Sequence, residues 1–187
     1  MRIVGGSHRG KKLASPSGLT IRPTSERTRE ALFNILIHQK YGNFVLKDAK
    51  VLDLFAGTGA IGLEALSRGA KELTAVEINQ VALNCLHQNI SSLGFSSQTN
   101  IIEANAVTLR PANDQDSKHS LIFLDPPYSL DVASETIANI LNGRWLNPHA
   151  IAVVELKKNY IFNPPERFEI IDKRVYGASQ IIFLQGP

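Results

Sequence analysis

Apolar positions along this chain fall into two alternating rhythms. Short, nearly continuous apolar runs occupy residues 51–55, 73–77, 100–103, 121–124 and 151–155. Segments with apolar residues at helical spacing fill the gaps at 61–67, 80–93 and 132–142. Such alternation predicts parallel strands buried on both faces beneath helices. Upstream, Thr24 or Ser25 is placed to cap a helix running to about His38, with Ala31, Leu32, Ile35 and Leu36 on its apolar face. Glu26 and Glu30, early in that helix, suit its positive end. Residues 41–50 read as a linker and about 113–120 as a polar loop. The end of the chain breaks the rhythm. Residues 168–176 and 180–184, joined through Gly177-Ala178-Ser179, predict an antiparallel hairpin. The expected fold is α/β: a mostly parallel seven-stranded sheet ending in an antiparallel hairpin.

Residues 1–24 are of another kind, rich in Gly, Ser, Pro and basic groups, with β-prone pieces at Ile3-Val4 and Leu19-Thr20-Ile21. They predict a small hairpin-like extension in front of a main domain spanning 25–187. Charge sharpens the division. Residues 1–30 hold seven Lys/Arg (Arg2, Arg9, Lys11, Lys12, Arg22, Arg27, Arg29) against Glu26 and Glu30, while the remainder holds thirteen against fifteen acids. A near-neutral domain with a basic front end fits salt-sensitive contact with nucleic acid.

Bulk composition narrows the class. With 187 residues, 43% of them hydrophobic and 20% charged, one compact globular domain is expected. No apolar run approaches the roughly 20 residues that span a bilayer, and Met1-Arg2-Ile3-Val4-Gly5-Gly6 leads into no long apolar core, so neither a membrane span nor a signal peptide is expected. The single Cys85 excludes an internal disulfide and suits the cytoplasm; its helical surroundings read as core. His8, His38, His87, His119 and His149 show no metal-ligand spacing, so no metal site is expected. Trp145, Phe33 and Leu36 read as packing residues.

Candidate chemistry concentrates at Asp125-Pro126-Pro127-Tyr128, which closes the apolar run 121–124. A carboxylate at a strand end can accept one N–H of a planar amine. A carbonyl of the Asp-Pro-Pro turn can accept the other, since Pro127 brings no competing donor. Tyr128 can stack on the ring that carries the amine. A second motif precedes it. Residues 51–62 read as strand, glycine-rich turn and helix, with Gly57 and Gly59 suited to positive φ and to close approach of a ligand. Glu77 ends the next apolar run, where a carboxylate can take both hydroxyls of a ribose. Gly57-x-Gly59-x-x-Gly62 with Glu77 also fits a dinucleotide site. Against that, Asp53 before the loop suits a cationic ligand better than a pyrophosphate, and Asp-Pro-Pro-Tyr has no part in hydride transfer.

Together these motifs resemble those of Rossmann-like class I methyltransferases that use S-adenosylmethionine. Within them the chain is most similar to the RsmD family, bacterial methyltransferases of guanine N2 in 16S ribosomal RNA. The likeness extends through Arg2-Ile3-Val4-Gly5-Gly6, Arg9-Gly10-Lys11-Lys12-Leu13, Ile21-Arg22-Pro23-Thr24, Glu26-Arg27 and residues 29–36. It implies that Asp125, Pro126, Pro127 and Tyr128 handle the target amine. Glu77 would take the cofactor ribose, and Phe55, Ala56, Gly57 and Gly59 would surround its methionine end. Asp53 would act there through its charge, Ile78 would pack on adenine, and Asn105-Ala106 would meet the adenine edge, although many relatives carry Asp where Asn105 stands. Arg9, Lys11 and Lys12 would contact RNA phosphates, with Arg22, Thr24 and Arg27 nearer the pocket mouth. Lys157 and Lys158 stand between an extension of this basic surface and ordinary solvation. A monomer acting on the small ribosomal subunit is expected. Adenine-N6 methylation of DNA, protein glutamine methylation and a noncatalytic assembly factor are the competing readings.

Overall fold

The computed structural model describes residues 1–16, 25–38, 41–127 and 132–187. Its seven strands are β1 (Lys50–Leu54), β2 (Glu72–Glu77), β3 (Thr99–Glu103), β4 (His119–Leu124), β5 (Leu146–Lys157), β6 (Glu169–Tyr176) and β7 (Ser179–Gln185). They form one sheet in the order β3-β2-β1-β4-β5-β7-β6. The first five are parallel, and β7 inserts antiparallel between β5 and β6. Among the described residues four α-helices accompany them: α1 (Glu26–His38), α2 (Ala60–Ser67), α3 (Gln80–Leu93) and α4 (Ala133–Asn142).

The continuous apolar runs are explained by burial on both faces. Along each central strand alternate residues enter different cores. Val51, Leu121, Phe123, Ile151, Val153, Ile181 and Phe183 join Leu32, Phe33 and Leu36 of α1, Leu63 of α2 and Leu83 and Leu86 of α3. Leu52, Leu54, Ile122, Leu124, Ala152, Val154, Ile182 and Leu184 join Ile137 and Ile140 of α4 and Trp145. Phe33 and Leu36 are buried as the sequence predicts, as is Trp145, whose Nε1 donates to the Arg110 carbonyl at 2.8 Å.

Residues 1–16 fold back on themselves. Arg2 bridges Lys12 antiparallel, and Ile3 N–H donates to the Lys11 carbonyl at 2.9 Å. Ile3 and Leu13 are buried in the α1–α3 side of the core, so this hairpin is packed rather than trailing. Leu19-Thr20-Ile21 lies outside the described residues. Ser25 is the residue that caps α1, its Oγ accepting the Thr28 N–H at 3.0 Å. Asn79 caps α3 through Val81 and Ala82 N–H, and Gly94 ends it in the left-handed region at φ 73°.

Several boundaries shift from the sequence reading, and three of the shifts have a visible physical cause. β1 stops at Leu54, because Phe55 turns to φ 64°. β4 starts at His119, inside the expected polar loop. That buried imidazole is satisfied by the Trp145 carbonyl at Nδ1 (3.1 Å) and by Thr74 Oγ1 at Nε2 (2.9 Å), which lets a polar residue enter a strand. β5 begins at Leu146, five residues before the apolar run. Its pairing with β4 shifts register between His119 and Leu121, so Pro148 and the positive-φ His149 are accommodated beside an irregularity that apolar patterning does not show.

Candidate active site

The site assembles at the carboxyl edge of the parallel strands, where order reverses between β1 and β4. Asp53 lies near the end of β1, Glu77 ends β2, and Asp125 follows β4 directly. β1 is the immediate neighbour of both β2 and β4, so the three carboxylates arise from adjacent strands.

Between β1 and α2 the backbone makes a compact turn. Phe55, Gly57 and Gly59 have φ of 64°, 57° and 81°. Positive φ at a non-glycine is strained, and it falls here on a half-buried phenylalanine at the loop entrance. The two glycines serve different needs. A side chain at Gly57 would meet nothing closer than the Phe55 carbonyl at 4.0 Å, leaving open space over the backbone. A Cβ at Gly59 would lie 2.4 Å from Leu86, and one at Gly62 would lie 2.6 Å from Leu73. Gly59 thus brings the loop against α3, and Gly57 is the position that leaves room for a ligand.

Glu77 is oriented by backbone donors. Its Oε2 accepts Gly57 N–H at 2.7 Å, and its Oε1 accepts Ile78 and Asn79 N–H at 2.8 Å each. The carboxylate therefore joins the tip of β2, the cap of α3 and the glycine turn. Beside it, Ile78 is exposed, with 61% of its surface accessible, an apolar platform next to a polar anchor. The Asn105 side chain accepts Val107 N–H at 3.0 Å and opens a short turn over Ala106–Thr108. Ala106 itself is buried in the core on the α4 side.

Asp53 is different in character. It is almost wholly buried and accepts the Gly62 N–H at 3.0 Å. Burial raises its pKa to about 7; the Gly62 hydrogen bond opposes the rise and the nearby negative charge of Glu77 adds to it. Asp125 is half-buried, Pro126 buried and Pro127 exposed, while Tyr128 lies outside the described residues. The β4–β5 register pairs Leu124 with Val154, so Asp125 emerges beside Glu155. Glu155 is a mostly buried carboxylate that the sequence reading did not single out.

Among the expected RNA contacts, Arg9, Lys11, Lys12 and Arg27 are exposed, and Arg22 and Thr24 lie outside the described residues. Arg29 departs from the basic surface suggested by the charge count. It is fully buried, 3.5 Å from Glu64 Oε2, which also accepts the Val4 N–H at 2.8 Å. Glu64 Oε1 holds Arg68 at 2.7 Å. Arg2 pairs with Glu26 at 2.9 Å. The hairpin is thus docked by polar side chains of α1 and α2 gripping its backbone, which leaves its basic side chains pointing to solvent. The apolar face of α1 carries the signal for Arg29, since this residue precedes Leu32, Phe33 and Leu36 at helical spacing.

Among the described residues, no group of three or more His, Cys, Asp or Glu is placed to hold a metal ion, and no helix is long and apolar enough to cross a membrane. A groove of ≈ 530 Å³ lined by Tyr41, Phe44, Lys47, Ser120 and His149 opens at the amino ends of β1 and β4. That is the wrong end of a parallel sheet for the ligand site, and none of the predicted site residues lines it.

The family model for Conserved hypothetical protein 95 matches residues 1–185. "Ribosomal RNA small subunit methyltransferase D" of Haemophilus influenzae is 33% identical over 181 residues, covering 95% of this chain and 89% of the relative. The chain belongs to the RsmD family. The Escherichia coli K12 protein of the same description is 34% identical over 178 residues, covering 95% of this chain and 85% of its own length. A solved structure described as a methyltransferase from Escherichia coli superposes with a TM-score of 0.84 at 32% identity, covering 100% of this chain and 97% of its own. The RsmD match spans the N-terminal hairpin as well as the sheet, so the hairpin is part of the family unit.

Proposed function

We propose that this chain transfers a methyl group from S-adenosylmethionine to the exocyclic N2 of a guanine in 16S ribosomal RNA, within the small subunit or an assembly intermediate. The observation that carries this reading is the convergence of Asp53, Glu77 and Asp125 at the carboxyl ends of three adjacent parallel strands. Membership of the RsmD family and the printed descriptions of its relatives support the substrate class.

The residues present fit the cofactor. Gly57 leaves an open cradle over the turn, Glu77 is a pre-oriented ribose acceptor, and Ile78 offers an apolar surface for a purine. Phe55, Ala56 and Gly59 complete the turn, and Asn105 with Ala106 closes the adenine side. Bound adenosylmethionine supplies an electrophilic methyl on a sulfonium. Asp53, behind the turn, is driven toward its ionised form by a nearby positive charge, and in that form it balances the ligand's cation.

The remaining work falls to the target side. An aromatic amine is a weak nucleophile, since its lone pair is delocalised into the ring. Asp125 and the carbonyls of the Pro126–Pro127 turn hold its two N–H groups and fix its direction, so that reaction proceeds from a positioned pair. As nitrogen becomes tetrahedral, the Asp125 carboxylate stabilises the developing positive charge; the broken methyl–sulfur bond would leave the neutral thioether, and the surplus amine proton would pass to Asp125 or to solvent. Tyr128 clamps the base. The guanine must leave its stack to enter such a pocket. Exposed Arg9, Lys11 and Lys12 hold the RNA by its phosphates, and Arg27, with Arg22 and Thr24, is assigned to RNA nearer the reacting base.

The test is methyl transfer from labelled adenosylmethionine to small ribosomal subunits from cells lacking this gene, with the product nucleoside identified chromatographically. N2-methylguanosine is expected. N6-methyladenine formed in DNA, or cofactor binding without transfer to any RNA, would overturn the reading.

A further inference from the structure

Asn89 sits on the inward face of α3, in line with Ala82, Leu83, Leu86, Ile90 and Leu93, and only 1% of it is exposed. A polar amide in an apolar stripe must find partners or cost stability. It finds three. Asn89 Oδ1 accepts the Ala14 N–H at 2.6 Å, and Nδ2 donates to the Ala14 carbonyl at 3.1 Å and to the Thr58 carbonyl at 2.9 Å. The amide orientation is unambiguous, because a backbone N–H can only donate and the two carbonyls can only accept. Both amide hydrogens are used.

The partners belong to separate parts of the molecule. Ala14 directly follows the basic hairpin, next to buried Leu13. Thr58 is the middle residue of the glycine turn, between Gly57, whose N–H is held by Glu77, and Gly59, which packs on Leu86 of the same helix. One buried amide therefore closes the hairpin exit and the cofactor turn onto α3 together. Ala14 holds both ends of the amide and so fixes its plane; if the hairpin exit withdraws, the amide loses the partners that keep Nδ2 aimed at the Thr58 carbonyl.

We propose that Asn89 is a positioning residue that couples RNA binding by the N-terminal hairpin to cofactor binding by the residue 56–59 turn. This rests on the function proposed above. A ligand that orders the turn favours the docked hairpin. By linkage, RNA that holds the hairpin tightens the cofactor by the same factor.

The test compares the dissociation constant of S-adenosylhomocysteine with and without unmethylated small subunits, in the native enzyme and in Asn89→Ala and Asn89→Asp. Asp keeps the acceptor for Ala14 N–H but sets an anionic oxygen against two carbonyls. In the native enzyme subunits should tighten the ligand by a factor on the order of 5–150, and in both variants the ratio should fall toward one. A purely structural role would lower the melting temperature and leave that ratio unchanged, which would overturn the proposal. So would a ratio of one in the native enzyme. If the variants do not fold, hydrogen exchange in the native protein decides: S-adenosylhomocysteine should slow exchange at residues 13–15, and unchanged exchange there refutes the coupling. The exchange measurement needs no RNA. A native enzyme inactive on every small subunit would therefore count against the proposed function without deciding this one.

Discussion

Glu77 and Gly57 stand 20 residues apart in the chain, yet the Glu77 carboxylate accepts the Gly57 amide at 2.7 Å. The same group takes the Ile78 and Asn79 amides at 2.8 Å, so a single side chain sets the turn after β1 against the tip of β2. Three backbone donors thus fix the carboxylate proposed to take the cofactor ribose.

Replacing Glu77 by Gln removes the charge and turns one acceptor oxygen into a donor that faces backbone N–H groups. A hydrogen bond to a charged group contributes about 1.5–3 kcal/mol, so affinity for S-adenosylhomocysteine should fall by roughly ten- to a hundredfold. Calorimetry checks this. Unchanged affinity would remove Glu77 from the cofactor site.

Asp125→Ala should abolish methyl transfer while RNA binding falls little, because Asp125 is assigned to the amine and the hairpin cations to the phosphates. Parallel measurements of turnover and of subunit binding separate the two. Equal loss of both would contradict the assigned chemistry.

Charge reversal at the exposed Lys11 and Lys12 should weaken RNA binding most at low ionic strength and flatten its salt dependence, since each lost phosphate contact removes released counterions. The slope of log affinity against log salt is the readout. A slope equal to that of the native protein would place the RNA elsewhere.

The buried titratable groups work against each other in acid. Asp53 is raised from 3.8 to about 7, so the folded state binds more protons than the unfolded one in that window, and its contribution declines as pH rises through it. His119 is lowered from 6.5 to about 4, chiefly by burial, so the folded state binds fewer protons there, and its contribution is lost as pH falls through that range. The two slopes oppose each other across their overlap. Asp53→Asn keeps an acceptor for Gly62 and deletes one of them, so its stability should rise more steeply with pH than the native protein's between about pH 4 and 6.5. Urea midpoints across pH decide the matter, and identical slopes would show that Asp53 ionises normally.

The order and type of the elements could be read from the chain alone. Apolar runs, helical spacing and glycine punctuation act over a few residues and leave a local record. The placement of Asp53, Glu77 and Asp125 on one edge of the sheet was legible for the same reason, since each stands at or near the end of a run that had to be a strand. Residues whose role depends on distant partners left fainter marks. His119 enters β4 because Thr74 and the Trp145 carbonyl satisfy it. Arg29 looks like one more surface cation until Glu64 is found against it. Gly59 looks like a ligand-facing glycine until Leu86 occupies the space. Asn89 shows in sequence only as a polar break in an apolar stripe. That its amide joins Ala14 to Thr58 was decided by packing three segments onto one another, because hydrogen bonds across tertiary contacts have no period along the chain.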